Sequence, residues 1–395
     1  MRPVKFELCT AARILFERDG IDRVGELAAG FGRRAALLRG GDHLEHSGAA
    51  HRLEASCAEH GIALVPERIS GEPTVKQVDA AAARARAAGC DLVIGLGGGS
   101  ALDAAKAVAG LLTNPGCALD YLEVVGSGKP ITQPAAPVIA IPTTAGTGTE
   151  VTRNAVLTCV EQGVKASLRS PHLLPRVALV DPALTHSVPP GVTASTGLDA
   201  LTQLIEPYVS ARAQPLTDAL ALAGIRAVAR SLRRAVLDGT DAGARDDMAL
   251  ASLMGGLCLA NAGLGAVHGL AAPLGATIPV PHGVACAALL PHVMAANVAA
   301  LRARGPDSRG LRRFADVSVA LRDRPSTHLA SAIDAGVAHV AELVRSVGIE
   351  SLGKFGFREE HISEVARRAQ RASSMKANPV SLSEDVLADC LRRAL

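Results

Sequence analysis

A chain of 395 residues exceeds one ordinary domain and suits two, and with 48% apolar and 20% charged residues it can bury a large core. A net charge of +3, no Trp and only 2% aromatic residues exclude a basic stripe or an aromatic ladder for single-stranded nucleic acid. The eight cysteines, at 9, 57, 90, 117, 159, 258, 286 and 390, form no CxxC pair and read as scattered core thiols of a reducing compartment.

The N-terminal stretch "MRPVKFELCTAARILFERDG" lacks the apolar run and cleavage site of a secretory signal. No segment offers the ~20 uninterrupted apolar residues of a membrane span. A soluble, cytoplasmic protein with no membrane or nucleic-acid partner is expected.

"RAALLRG" reads as a short buried strand ending in Gly40 and Gly41, and "TVKQVDAAAARARAAG" as an Ala-rich helix closed by Gly89. "DLVIGLGGGSALDAAKAVAGLL" runs from an apolar strand through a glycine cluster into a helix. "PVIAIPTT", "NAVLTCV" and "RVALVDP" read as further strands. Strands alternating with helices and apolar on both faces predict a parallel sheet covered on each side. Past the Pro189–Pro190 pair the apolar period becomes helical, predicting a bundle of six or more helices to Leu395. The expected division is residues 1–188, an α/β dinucleotide-binding domain, and 189–395, an all-α domain.

Gly97, Gly98, Gly99 and Ser100 lie where a buried strand hands over to a helix. Glycines there permit close backbone approach, and the free N–H groups of the helix start favour a diphosphate, although the run is not a full GxGxxG. Asp103 in the following turn is equally compatible with helix capping. "IPTTAGTGTEVT" places Thr143, Thr144, Thr147 and Thr149 directly after a strand, a composition suited either to the wall of a polar ligand or to an ordinary turn.

In "GLDALTQLIE", Asp199 and Gln203 are four apart and share one side of an apolar helix. His268 and His282 follow in "VHGLAAPLGATIPVPHG". These four donors can surround a divalent ion, but a spacing of 14 between the histidines is no standard local zinc signature, and satisfied core histidines remain the alternative.

Taken together and in order, "GGGSALDAAK", "PTTAGTGTEVT", "LVDPALT", "GLDALTQLIEPYVS" and "VHGLAAPLGA…PHGVACAALLPHVM" resemble the iron-containing (group III) alcohol dehydrogenase family over roughly residues 5–390. The resemblance implies a dehydroquinate synthase-like fold, with a Rossmann-like N-terminal domain and a helical C-terminal one. It also implies NAD(P), a divalent metal, and hydride transfer between a small primary alcohol or aldehyde and the cofactor. Gly97, Gly98, Gly99 and Ser100 would hold the diphosphate, Gly40 and Gly41 would lie near the adenosine ribose, and Thr143, Thr144 and Thr147 would wall the nicotinamide side. Lys165 is similar to the family lysine near the ribose. Asp199, His268 and His282 match three of four metal ligands and act in catalysis through the metal.

Two positions depart from the family pattern. The fourth ligand, usually His, is Gln203, a harder neutral donor that favours Fe²⁺ or Mn²⁺ over later metals, with Zn²⁺ still open. A second histidine often assigned to proton relay is replaced by Ala272. NAD is favoured weakly over NADP, with Arg39 and Asp42 flanking the position that reads the 2′-phosphate. The rival readings are a metal-independent maleylacetate-reductase-like enzyme and a dehydroquinate-synthase-like lyase. The lyase would need a Lys, Arg and Asn cluster that the apolar neighbours of His268 and His282 do not supply. A homodimer or larger assembly is implied by the resemblance.

Overall fold

The computed structural model describes residues 5–41, 43–305, 308–324 and 328–395, so Asp42 lies outside the described residues. Two compact units divide the chain. One spans Cys9–Thr144 and Gly148–Val188; the other contains Pro189–Leu395 together with the N-terminal segment ending at Leu8 and the short piece Ala145–Thr147. The longest pieces of the two units meet between Val188 and Pro189, and the two short pieces group with the helical unit, so the units are not continuous in sequence.

The first unit contains, in chain order, β1 (Arg13–Phe16), α1 (Val24–Ala29), β2 (Arg34–Arg39), α2 (His43–His46), α3 (Ala49–Glu59), β3 (Ala63–Arg68), α4 (Val75–Ala87), β4 (Leu92–Gly97), α5 (Gly99–Thr113), α6 (Ala118–Tyr121), β5 (Val138–Pro142), β6 (Asn154–Cys159), β7 (Val164–Arg169) and β8 (Val177–Val180). Six strands form one sheet in the order β1-β8-β5-β4-β2-β3, and every pairing is parallel.

Successive side chains alternate between the two faces. Ala36, Leu38, Val93 and Ala140 therefore pack with Val78 of α4 and Leu102 and Val108 of α5. Leu37, Ile94, Ile139 and Leu179 pack on the other face with Val24 of α1 and Leu53 of α3. The chain leaves β2 toward one edge and β4 toward the other, so the neighbouring C-terminal ends of β2 and β4 form the topological switch point of the sheet.

"NAVLTCV" does not join this sheet, contrary to expectation. It forms β6, antiparallel to β7 in a separate two-stranded ribbon. Its inward residues Ala155, Leu157 and Cys159 are buried while their neighbours are only partly so, the period-two pattern of a one-sided strand. The continuous burial along β4, β5 and β8 marks the true sheet interior.

The ribbon is held by Lys106 of α5, which is fully buried. Its ammonium donates to Thr149 O (3.0 Å), Thr149 Oγ1 (2.6 Å), Thr152 Oγ1 (3.0 Å) and the Asn154 carbonyl, and lies 3.1 Å from Asp103 Oδ1. Burial lowers the Lys106 pKa most, and Asp103 and Glu150 oppose that shift.

The second unit contains nine helices among the described residues: α7 (Pro190–Val209), α8 (Pro215–Leu237), α9 (Ala242–Ala262), α10 (Ala266–Thr277), α11 (His282–Arg304), α12 (Arg309–Arg322), α13 (Leu329–Ser346), α14 (Glu359–Gln370) and α15 (Glu384–Arg393). Pro190 occupies the first position of α7, where the missing N–H costs nothing. α7 packs against α8, α9 and α11, and every residue from Gly197 to Val209 is buried. Among the described residues, α11 alone is a single helix long and apolar enough to cross a membrane, yet most of that apolar stretch is buried in the core of this unit.

Glu150, next to the Lys106 anchor, is buried, and burial raises its pKa from 4.5 to about 7. Folded Glu150 keeps its proton where the unfolded chain has lost it, so this group's contribution to stability falls as pH rises from 4.5 through about 7. Glu150→Gln is expected to gain stability relative to wild type between pH 5 and pH 8 by on the order of 3 kcal/mol. Unfolding midpoints measured across that range test this, and a difference independent of pH would contradict it.

Candidate functional site

The glycine cluster lies at the switch point of the sheet. Gly97 ends β4 with φ +152°, and a Cβ there would meet Ala101 Cβ at 2.8 Å and the backbone N of Gly40 at 3.2 Å. Gly40 is tied to the same place by its N–H, which donates to Leu96 O at 2.9 Å. α5 begins at Gly99 with Gly98 as its N-cap, and no side chain caps its first turn. Uncapped N–H groups at the start of a 15-residue helix, reached across bare glycine backbone, suit a diphosphate.

The threonine stretch lies nearby within the same unit. A Cβ on Gly98 would meet Thr144 Oγ1 at 3.3 Å, and the Thr143 hydroxyl is buried without a partner. Thr147 lies in the short piece that groups with the helical unit. Asp103 accepts from Thr149 Oγ1 (2.5 Å) and the Val156 N–H (3.0 Å), so both its oxygens hold protein groups and it supports this wall. Lys165 on β7 reaches Glu72 at 2.9 Å, and Arg39 pairs with Glu45.

The second constellation belongs to the helical unit. Asp199, Gln203 and Glu206 fall at i, i+4 and i+7 along α7, one face of the helix, and all three are buried. The Gln203 amide donates to Asp199 Oδ2 at 3.0 Å. Glu206 accepts from the Val267 N–H and from His268 Nδ1, each at 2.7 Å. A carboxylate can only accept, so Nδ1 carries a proton and, in the neutral imidazole, Nε2 presents its lone pair.

The start of α10 is held by the same group of residues. Asn378 Oδ1 accepts the Ala266 N–H at 3.1 Å, and a Cβ on Gly265 would lie 2.8 Å from both Asn378 Oδ1 and Glu206 Oε1. His282 is the first residue of α11. The next residue, Gly283, lets α11 approach α7 closely, since a Cβ there would fall 2.6 Å from Ser195 O, one turn before Asp199. Ala272 is exposed on α10.

His268 Nε2 lies 3.3 Å and His282 Nε2 3.8 Å from Asp199 Oδ1. Cys286 Sγ is 3.6 Å from His282 Nε2, and the four donor atoms all fall within 4.8 Å of one another. Asp199 Oδ1, Gln203 Oε1 and His268 Nε2 are buried with no hydrogen-bond partner. The 3.3 Å separation of His268 and Asp199 is therefore a convergence rather than a bond.

Charge points the same way. Burial favours a neutral Asp199, yet its pKa is lowered by His268 and His282. Burial also opposes protonation of His268, but Cys286, Asp199 and Glu206 raise its pKa well above the ordinary value. Cys286 is the largest influence raising His282 to about 9. Such a site calls for positive charge, and buried lone pairs without partners fit a divalent cation.

Sequence reasoning missed Glu206, Cys286 and Lys106. Each had a spacing signal: Glu206 is seven after Asp199, Cys286 four after His282, and Lys106 three after Asp103.

Residues 11–182 match the family model for iron-containing alcohol dehydrogenase, and residues 193–395 match the C-terminal model of the Fe-containing alcohol dehydrogenase family. The chain is 40% identical to the probable alcohol dehydrogenase EutG of Escherichia coli K12 over 366 residues, 92% of this chain and 88% of that protein. Its structure is similar to the crystal structure of a 1,3-propanediol oxidoreductase, with a TM-score of 0.92, 34% identity and coverage of 99% and 100%. It is also similar to sulfoacetaldehyde reductase from Bifidobacterium kashiwanohense in complex with NAD⁺, with a TM-score of 0.85, 30% identity and coverage of 99% and 98%. The chain belongs to the iron-containing alcohol dehydrogenase family.

Proposed function

We propose that this protein oxidises small primary alcohols to aldehydes with NAD⁺, and runs the reverse reduction, through Asp199, Gln203, His268 and His282 acting around one divalent ion. Membership of the family makes it an alcohol oxidoreductase that uses NAD(H) and iron. The observation that carries the residue assignment is the set of three buried, unpartnered donor atoms on Asp199, Gln203 and His268, with the His282 imidazole 3.8 Å from the Asp199 oxygen.

The bound ion supplies Lewis acidity, lowering the pKa of the alcohol and stabilising developing alkoxide charge. The cofactor, held by the glycine cluster at the start of α5, would supply the hydride acceptor for the carbinol carbon. Asp199 contributes the negative charge that retains the ion, and the Gln203 amide fixes the Asp199 carboxylate by donating to Oδ2. Glu206 is a positioning residue: it holds the proton on His268 Nδ1 and thereby keeps Nε2 free to bind.

On the cofactor side, Gly97, Gly98, Gly99 and Ser100 hold the diphosphate, with Gly40 and Gly41 at the end of β2 beside them. Thr143, Thr144 and Thr147 line the nicotinamide side, Asp103 stabilises that wall, and Lys165 lies toward the ribose, held by Glu72. An enzyme of the cytoplasm is supported by cysteines scattered along the chain with no CxxC pair among them. A homodimer or larger assembly belongs to the same reading.

A primary alcohol deuterated at the carbinol carbon is expected to deliver deuterium to NAD⁺, read by the mass of the reduced cofactor. Chelator-stripped protein should lose this transfer and regain it on reloading with Fe²⁺. Undiminished transfer by stripped protein would contradict the metal role and favour the metal-independent reductase. Glu206→Gln is expected to weaken metal binding about 10- to 100-fold while leaving NAD⁺ affinity unchanged. Equal metal affinity in variant and wild type would remove the positioning role.

A further inference from the structure

Resting on the metal-site reading above, we propose that Cys286 is itself a ligand of the ion, giving a sulfur donor beside Asp199, His268 and His282. Cys286 follows His282 by four residues on α11, so both side chains leave the helix on one side. Its side chain is fully buried, and its Sγ lies within 4.8 Å of the Asp199 oxygen and of both imidazole nitrogens. Two of those neighbours, Asp199 Oδ1 and His268 Nε2, are more than nine-tenths buried and have no partner, so the thiol faces an unfilled coordination demand rather than a packed apolar wall.

The distances carry the assignment further. Tetrahedral bonds of about 2.05 Å to N or O set donor atoms about 3.3 Å apart, and a sulfur bond of about 2.3 Å sets N and S about 3.6 Å apart. His268 Nε2 to Asp199 Oδ1 is 3.3 Å, and Cys286 Sγ to His282 Nε2 is 3.6 Å. A third edge, His282 Nε2 to Asp199 Oδ1, is 3.8 Å, about half an ångström longer than the bound geometry requires.

Binding releases the thiol proton to solvent, and the thiolate together with Asp199 neutralises a divalent charge that Asp199 alone would leave half balanced. The ligand set becomes softer than the amide at Gln203 alone would make it. Selectivity therefore moves back toward zinc, against the Fe²⁺ or Mn²⁺ preference that Gln203 by itself implies.

Titrating the metal-free full chain with Co²⁺ tests this by absorption. Wild type and Cys117→Ser, a change at an exposed cysteine of the other unit, should show both visible ligand-field bands and a near-ultraviolet sulfur-to-cobalt charge-transfer band. Cys286→Ser should keep the ligand-field bands and lose the charge-transfer band. As a check that needs no variant, X-ray absorption of zinc-loaded wild type should contain a sulfur scatterer at about 2.3 Å. Ligand-field bands without charge transfer in wild type, and a zinc shell of N and O alone, would overturn the sulfur ligand and leave the metal site standing. Failure of wild type to bind either ion would overturn both.

Discussion

A buried carboxylate without a full set of partners organises the helical unit. Asp199 lies on a helix whose neighbouring residues are almost all apolar and buried, and one of its two oxygens has no hydrogen bond. Taking such a charge out of water costs several kcal/mol unless an opposite charge meets it. The surroundings offset that cost by bringing His268 and His282 toward the same oxygen, while Glu206 and Asn378 fix the start of α10 so that His268 cannot turn away. Gly265 and Gly283 are the steric condition for this convergence, because side chains at either would push α10 or α11 off α7.

The α/β unit solves a related problem with the opposite sign. Lys106 is buried among carbonyl and hydroxyl oxygens, and Asp103 is close enough to compensate its charge. The network joins α5 to the Thr149 region and to β6, so the helix whose bare N-terminus faces the glycine cluster also fixes the threonine wall. Neither buried charge drives folding: the apolar faces of the sheet do so in the α/β unit, and the apolar core around α7 and α11 in the helical one. The buried charges determine where polar groups are placed within each unit.

Much of this was legible in the sequence, for physical reasons that differ from element to element. Strands β4, β5 and β8 are buried on both faces and read as continuous apolar runs. α4 was legible as an Ala-rich run closed by Gly89, and the structure adds a capping box formed by Thr74 and Gln77 at its start. The edge strands β1 and β3 were not legible. β1 has only four residues, and β3 contains Pro66 and ends in the adjacent charges Glu67 and Arg68, which an edge tolerates and a periodicity reading passes over. β6 was recognised as a strand but given the wrong sheet, because its alternation was not weighed. At the site, the i, i+4 spacing that linked Asp199 to Gln203 recurs between His282 and Cys286, and the same helical face continues at i+7 to Glu206. Convergence of α7, α10 and α11 on one point, by contrast, depends on close approaches that no local pattern encodes.

The most direct measurement is metal content per chain after anaerobic purification, comparing wild type with Asp199→Ala. Wild type should hold about one divalent ion per chain and the variant none, since Asp199 supplies the charge on which the remaining donors converge. A wild-type protein that holds no ion, even after incubation with Fe²⁺ and with Zn²⁺, would contradict a metal centre in the helical unit.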